Sequence, residues 1–336
     1  MIDRHGNALR QCVVHGFLLA RAGREEAPLL PRSWHSVSRR DRGTGTVSSA
    51  HCADVSLTFG AGPTVGFGLR CDTDGMELNG SPVTQTDLAA LALIGYGHFT
   101  SMRVERGGAV RGLSQHLERL VRDCRTVFDS DLDPDRVRAL VRQALPAETD
   151  GAFVVRVTVF DPHLPLGNPG ADAAPQILVT WRHVPVGPLA PLRLRSAVYT
   201  RDLPRTKHVG LFGALHQRRL AQRDGFDDVL FTAPDGTISE IATSNIGVLV
   251  DGQLIWPQAD VLPGVTMRLL GQTLDAEVIS KPITLADLAH VDGAVATNAA
   301  VGVRAISRID DADIPVDHAA IDRLRTEYES IPAQQI

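Results

Sequence analysis

The chain has 336 residues, of which 43% are hydrophobic and 22% charged, with a formal net charge of −5. That is the make-up of an ordinary globular protein with enough chain for two domains. It excludes a basic nucleic-acid-binding stripe, because acidic and basic residues are interspersed, and a membrane-crossing helix, because no apolar run approaches the ~18 residues one needs.

Residues 1–75 are rich in Arg, Ser, Gly and His and hold no sustained helical or strand period. They are expected to be an extension that is disordered or not translated in the cell, with Met76-Glu77-Leu78-Asn79-Gly80 as a natural start. The apolar stretch at residues 12–20 is short and interrupted by His15 and Gly16, a poor secretory leader, so a cytoplasmic location is expected. The glycine-rich residues 60–68 contain Pro63 and open no helix, so they read as a flexible stretch rather than a phosphate loop. Cys12, Cys52, Cys71 and Cys124 form no Cys-x-x-Cys pair, which fits unpaired thiols in a reducing compartment. The histidines fall in no metal-ligand spacing, so no metal is expected.

From Met76 onward the signals sharpen. Two strand-like runs, 99–105 and 109–112, flank Gly107-Gly108 and predict a hairpin. Ser114 is placed to cap a helix over 115–128 whose Leu117, Leu120, Val121 and Cys124 share one face, with basic residues left as a solvated outer surface. A second amphipathic helix is expected over 133–145, and Val-, Ile- and Thr-dense strands over 152–160 and 176–181. Pro185, Gly187, Pro188 and Pro191 then preclude regular structure. Beyond them come a strand at 192–199, a helix at 210–223, and strands at 228–232, 246–250 and 253–256. A helix opening at Val265-Thr266, strands at 277–279, near Val295 and at 304–309, and a helix at 317–330 complete the series. This mixture predicts an α+β or α/β protein of two domains: a smaller one over 76–184, a linker at 185–191, and a larger one over 192–336.

Arginine is abundant, yet only two lysines occur, Lys207 and Lys281. Arginine serves wherever a plain positive charge is enough. A lysine can also lose its proton when desolvated and attack a carbonyl, which arginine cannot do. Lys281 precedes Pro282 in a short loop and reads as a solvated charge. Lys207 lies just past a strand in Asp202-Leu203-Pro204-Arg205-Thr206-Lys207-His208, among candidate partners. Glu240 follows a turn and precedes Thr243-Ser244-Asn245. Leu262-Pro263-Gly264-Val265-Thr266 is a turn opening a helix, whose first N–H groups are free for an anion. Thr297-Asn298 closes an apolar strand, and Arg103 supplies charge from the first hairpin.

These landmarks carry a resemblance. The run Gly97-His98-Phe99-Thr100-Ser101-Met102-Arg103-Val104, then His116-Leu117-Glu118-Arg119-Leu120, Lys207, Glu240 before Ser-Asn-Ile, Leu-Pro-Gly-Val-Thr at 262–266 and Thr-Asn at 297–298, resembles in order and spacing the class IV aminotransferases. That family includes branched-chain and D-amino-acid aminotransferases and aminodeoxychorismate lyase, and the match spans roughly residues 77–310. The resemblance implies a two-domain fold-type IV enzyme, a homodimer, with pyridoxal 5'-phosphate between its domains. It implies that Lys207 forms the Schiff base and moves the α-proton. It further implies that Glu240 holds the pyridinium proton, with Asn245 beside it. Arg103, the Val265 and Thr266 amides and Thr297 would grip the phosphate. His98 and His208 are further candidates for the pocket lining.

Many family members place a Tyr five residues after the lysine; here Phe212 stands there, and His208 follows the lysine directly. The Phe-Thr-Ser-x-Arg-Val opening and the Lys-His pair both resemble the lyase branch. The leading expectation is amino transfer between an amino acid and a 2-oxo acid. The alternative is a lyase releasing pyruvate and 4-aminobenzoate, and a catalytically silent fold relative is a third.

Overall fold

The computed structural model describes residues 75–146, 151–184, 189–274 and 279–336. The N-terminal extension, Cys12, Cys52, Cys71, the stretch at 60–68, most of the expected linker and the start of the strand expected at 277–279 lie outside the described residues.

The first half builds six strands of a seven-stranded sheet. Its members are β1 (Met76–Leu78), β2 (Ser81–Pro82), then after helix α1 (Gln85–Ile94) the strands β3 (His98–Glu105) and β4 (Ala109–Arg111). Helices α2 (Leu113–Phe128) and α3 (Pro134–Ala144) follow, then β5 (Phe153–Phe160) and β6 (Gln176–His183). β3 and β5 pair antiparallel over their length, from His98 opposite Val159 to Val104 opposite Phe153. A strand's side chains alternate between faces. Met102 and Val104 therefore share with Val155, Val157 and Val159 the face that packs on Leu113, Leu117, Leu120 and Cys124 of α2 and Val137 and Val141 of α3. Cys124 is buried and free, its thiol pushed up to about 11 by that burial.

Two sequence expectations are corrected here. α2 is capped not by Ser114 but by Gly112, whose φ of 71° is costly for any residue with a side chain. The Ser114 amide instead donates to Gln334. The basic residues of α2 are not all solvated either, since Arg119 is buried.

The second half supplies β7 (Leu192–Val198), α4 (Phe212–Arg223), β8 (Asp228–Thr232), β9 (Ile238–Ile241), β10 (Ser244–Val250), β11 (Gln253–Pro257), α5 (Val265–Thr273), β12 (Ile279–Lys281), β13 (Gly293–Asn298), β14 (Gly302–Ile309), β15 (Ala312–Asp313) and α6 (Ala319–Ser330). Its sheet closes on itself: β10, β13, β14, β7, β8 and β9 are neighbours in turn, and β9 pairs back onto β10. Small and branched residues fill the ring, among them Leu194, Leu230, Ile238, Val248, Ala294, Ala296 and Ile306. The last strand, β16 (Ala333–Gln335), pairs with β4 of the first sheet rather than with the second. The result is a mixed α+β protein, as expected, and among the described residues no helix is long and apolar enough to cross a membrane.

Candidate active site

Lys207 occupies the loop of residues 199–211 between β7 and α4. That loop is sewn to the first sheet. The Phe99 amide donates to the Lys207 carbonyl at 2.8 Å, the Val209 amide donates to the Gly97 carbonyl at 2.9 Å, and the Lys207 amide donates to Asp123 Oδ2 of α2 at 2.9 Å. Arg122 adds a bond to the Arg205 carbonyl. The lysine is half-buried as a residue, with Nζ 4.9 Å from the centre of the Phe99 ring. Burial, followed by the guanidinium groups of Arg119 and Arg201, pushes its amine down to about 7, with Glu240 acting the other way. Lys281 is exposed, as expected.

Glu240, Asn245 and Thr297 form a row across three strands, because Glu240 on β9 is opposite Asn245 on β10, and Asn245 is opposite Thr297 on β13. All three are buried. Glu240 Oε1 accepts from Arg201 Nε at 2.7 Å, and its Oε2 accepts from the Leu262 amide at 3.2 Å. Arg201 also donates to the carbonyls of Pro204 and Thr206, so one guanidinium joins the acid to the loop that carries Lys207. Asn245 Nδ2 donates to the Leu262 carbonyl at 2.8 Å. Glu240 and Asn245 together shape the turn that opens α5.

That turn leaves no room at Gly264. A Cβ built there would lie 2.0 Å from Asn245 Oδ1, which explains a glycine before Val265-Thr266. Gly264 is the N-cap of α5 and makes no side-chain cap, so the first amides of the helix, at Val265 and Thr266, have no partner within the helix. The Thr266 and Thr297 hydroxyls are buried without a protein hydrogen-bond partner. Arg103 reaches the same region, its guanidinium 3.5 Å from the Ala300 carbonyl just past Thr297. Unbonded amides at a helix N-terminus, two orphaned hydroxyls and an arginine suit a phosphate. A lysine amine with a low pKa beside an ion-paired acid suits a pyridine aldehyde. These residues therefore fit the pyridoxal 5'-phosphate that the resemblance implies.

Four charged residues here were not among the sequence candidates. Arg201 holds Glu240, while Asp123 and Arg119 lie beneath Lys207. His116, Arg119 and Asp123 fall at i, i+3 and i+7 on the buried side of α2, a polar stripe that its spacing could have revealed. Arg156 of β5 lies 3.6 Å over the centre of the Phe99 ring and donates to Thr158, and has no ion-pair partner among the described residues.

Two other candidates, and Phe212, fall outside this cluster. His98 packs against Phe128 on the α2 side of β3, opposite Phe99, and burial keeps its ring neutral by pushing its pKa down to about 3. His208 turns back to the Asp202 carbonyl at 2.7 Å. Phe212 is 84% exposed at the start of α4, stacked on His216. Among the described residues no group of His, Cys, Asp and Glu could hold a metal ion.

A sequence model of the family described as "Amino-transferase class IV" matches residues 97–309. A probable branched-chain-amino-acid aminotransferase of Rickettsia felis is 31% identical over 125 residues, 35% of this chain and 43% of that protein. The chain thus matches about two fifths of that curated relative's length. Two solved structures share the fold. A branched-chain aminotransferase from the thermophilic archaeon Thermoproteus uzoniensis with norvaline has a TM-score of 0.64 at 19% identity, over 76% of this chain and 93% of that one. An aminotransferase from Brucella abortus bound to the cofactor PLP has a TM-score of 0.64 at 18% identity, over 71% and 90%.

Proposed function

Given that the chain belongs to the amino-transferase class IV family, we propose that it is a pyridoxal-phosphate-dependent aminotransferase, moving an amino group between an amino acid and a 2-oxo acid. The observation that carries this reading is the chain of contacts that joins the Lys207 loop through the Arg201–Glu240 pair to the turn opening α5, whose end is unbonded, with the unpartnered Thr266 and Thr297 hydroxyls. Bound pyridoxal phosphate supplies the carbonyl that takes up the amine and a ring that withdraws electrons from the α-carbon.

The residues of the chain divide the remaining work. Lys207 Nζ, neutral for much of the time near pH 7, is the nucleophile and then the carrier of the α-proton. Glu240, held by Arg201 and the Leu262 amide, would hold the protonated pyridine nitrogen of the cofactor. Asn245 keeps the 262–264 turn in shape behind it. The Val265 and Thr266 amides, the two threonine hydroxyls and Arg103 take the phosphate. Arg156, a half-buried cation over the Phe99 ring with no acid partner among the described residues, supports a carboxylate-bearing substrate.

The proposal includes a homodimer, in keeping with the exposed apolar side chains Phe212 and Leu215 on α4 and Leu203 in the lysine loop. It also includes a cytoplasmic location and two domains joined near residues 185–191. Adding pyridoxal phosphate should produce a visible absorbance band that Lys207→Ala abolishes and Lys281→Ala leaves intact. Amino-acid-dependent formation of a 2-oxo acid should require an acceptor 2-oxo acid. Pyruvate release from aminodeoxychorismate with no acceptor present would replace amino transfer by the lyase reaction.

A further inference from the structure

The buried face of α2 beneath Lys207 carries more charge than packing explains. Arg119 and Asp123 are 4% and 0% exposed, and His116 is 0% exposed. Buried ionic groups of this kind are costly unless each is held by partners. Here each is held. Arg119 donates to the Thr100 hydroxyl and lies 3.3 Å from His116 Nδ1, and Thr100 Oγ1 is itself 2.8 Å from that nitrogen. Asp123 accepts from Arg122 through one oxygen and from the Lys207 amide through the other. The cluster thus ends on the backbone of the lysine itself, although α2 belongs to the first half of the chain and Lys207 to the second.

We propose that Arg119 and Asp123 are positioning residues for Lys207. Asp123 fixes the lysine's backbone through its amide. Arg119, one turn earlier and immobilised by Thr100 and His116, keeps a permanent positive charge beneath the amine. Arginine suits that place because it does not give up its own proton in compensation.

The charges that act on the amine are Arg119 from α2, Arg156 from β5, Arg201 from its own loop and Glu240 from β9, three guanidinium groups against one carboxylate. His116 is held neutral, its pKa well below the usual value because of burial and the adjacent Arg119. The fixed positive charges and the burial act in the same direction on the amine, and Arg119 is the first among the charges. The tether has a second effect: an amine displaced toward solvent would regain the hydration that the buried position denies it.

The inference rests on reading Lys207 as the cofactor lysine, and the test separates the two. Because the chain has only two lysines, Lys281 is a built-in reference. The cofactor-free full chain is trace-labelled with acetic anhydride across a pH series, and the peptides carrying Lys207 and Lys281 are quantified by mass spectrometry. In the wild type Lys207 should titrate well below Lys281. Arg119→Gln should raise the apparent pKa of Lys207 by roughly one unit, about a tenfold loss of neutral amine at a given pH below it, with Lys281 unmoved. Asp123→Ala should move Lys207 toward Lys281, while Asp123→Asn, which keeps an acceptor oxygen for the amide, should restore the wild-type value. A wild-type Lys207 that titrates with Lys281 overturns the proposal whether or not the variants fold, as does an unchanged Lys207 pKa in both Arg119→Gln and Asp123→Ala. Failure of the cofactor reading shows elsewhere, in a visible band on adding pyridoxal phosphate that survives Lys207→Ala.

Discussion

Glu240→Gln isolates the charge of the buried acid from its shape. The Arg201–Glu240 pair is 2.7 Å apart with both side chains only 9% exposed, so at an effective dielectric of ~20 the gross attraction is about 6 kcal/mol. Desolvation cancels much of that in the intact pair, but removing one partner leaves the other charge buried, a loss of about 3–5 kcal/mol. The Gln side chain keeps one acceptor oxygen. It can satisfy Arg201 or the Leu262 amide, not both, and its amide then points N–H groups at a donor. For a domain of this size a loss of about 3 kcal/mol lowers Tm by roughly 6–12 °C. The assay is thermal unfolding of the cofactor-free chain followed by fluorescence, with Trp256 fully buried in the second sheet as the probe. Arg201→Met should cost a similar amount, and the double variant clearly less than the sum, because both single changes break one pair. A Tm within about 1–2 °C of wild type for Glu240→Gln, or strictly additive losses, would refute the reasoning.

Other expectations follow from the same geometry. Thr266→Val and Thr297→Val remove hydroxyls that have no protein partner, so each cofactor-free variant should be as stable as wild type while pyridoxal phosphate binds about ten- to a hundredfold more weakly by fluorescence titration. Loss of stability without loss of affinity would show that neither hydroxyl meets the phosphate. Gly264→Ala should sharply weaken both folding and cofactor binding, since its Cβ would overlap Asn245 Oδ1. A variant with wild-type melting and binding would show that the turn has slack. The rate of absorbance change on adding pyridoxal phosphate should climb as pH rises through about 7 and level off above it, because only the deprotonated Lys207 amine attacks a carbonyl. A rate still climbing about tenfold per pH unit beyond roughly pH 9 would mean that Lys207 is an ordinary solvated lysine.

Much of this fold was legible from local pattern. The helix faces of α2 and α3, the strands β5 to β8 and the turn opening α5 all announce themselves through period, β-branching or a capping residue. What escaped depended on partners remote in sequence. β16 is three mostly polar residues with no strand signal of their own, and it exists because β4 offers it an edge. α1 buries no side chain and so has no apolar period, although the Thr84 and Asp87 capping box was there to be read. Ser114 has the chemistry of an N-cap, but the chain enters α2 through a left-handed Gly112 because Val265 and Leu269 of α5 press against that corner. In the site, Lys207, Glu240 and the 262–266 turn stood out by residue type and spacing. Arg201, Arg119 and Asp123 did not: nothing local distinguishes Arg201 among many arginines, and for the other two the spacing of the polar stripe on α2 was the one local sign. Their significance lies in contacts that span 39, 19 and 84 residues of chain.

Those long-range contacts bear on why the lone lysine of the site is surrounded by arginine. Arg119, Arg156 and Arg201 are the positive groups that push the Lys207 amine down. Had any of them been lysine, burial would have depressed its pKa as well, and two amines would have shared one titration with neither held to a defined protonation state. A guanidinium keeps its charge near neutral pH even when buried, so the shift falls on the one group able to yield its proton. Substituting arginine for lysine across the chain therefore does two things at this site. It leaves a single nucleophilic amine, and it surrounds that amine with charges that do not respond when its proton leaves. An Arg201→Lys variant tests this directly: it retains a cation beside Glu240, yet should weaken the separation between the Lys207 and Lys281 titrations. If that separation stays intact with a lysine at 201, fixed guanidinium charge is not what sets the amine apart.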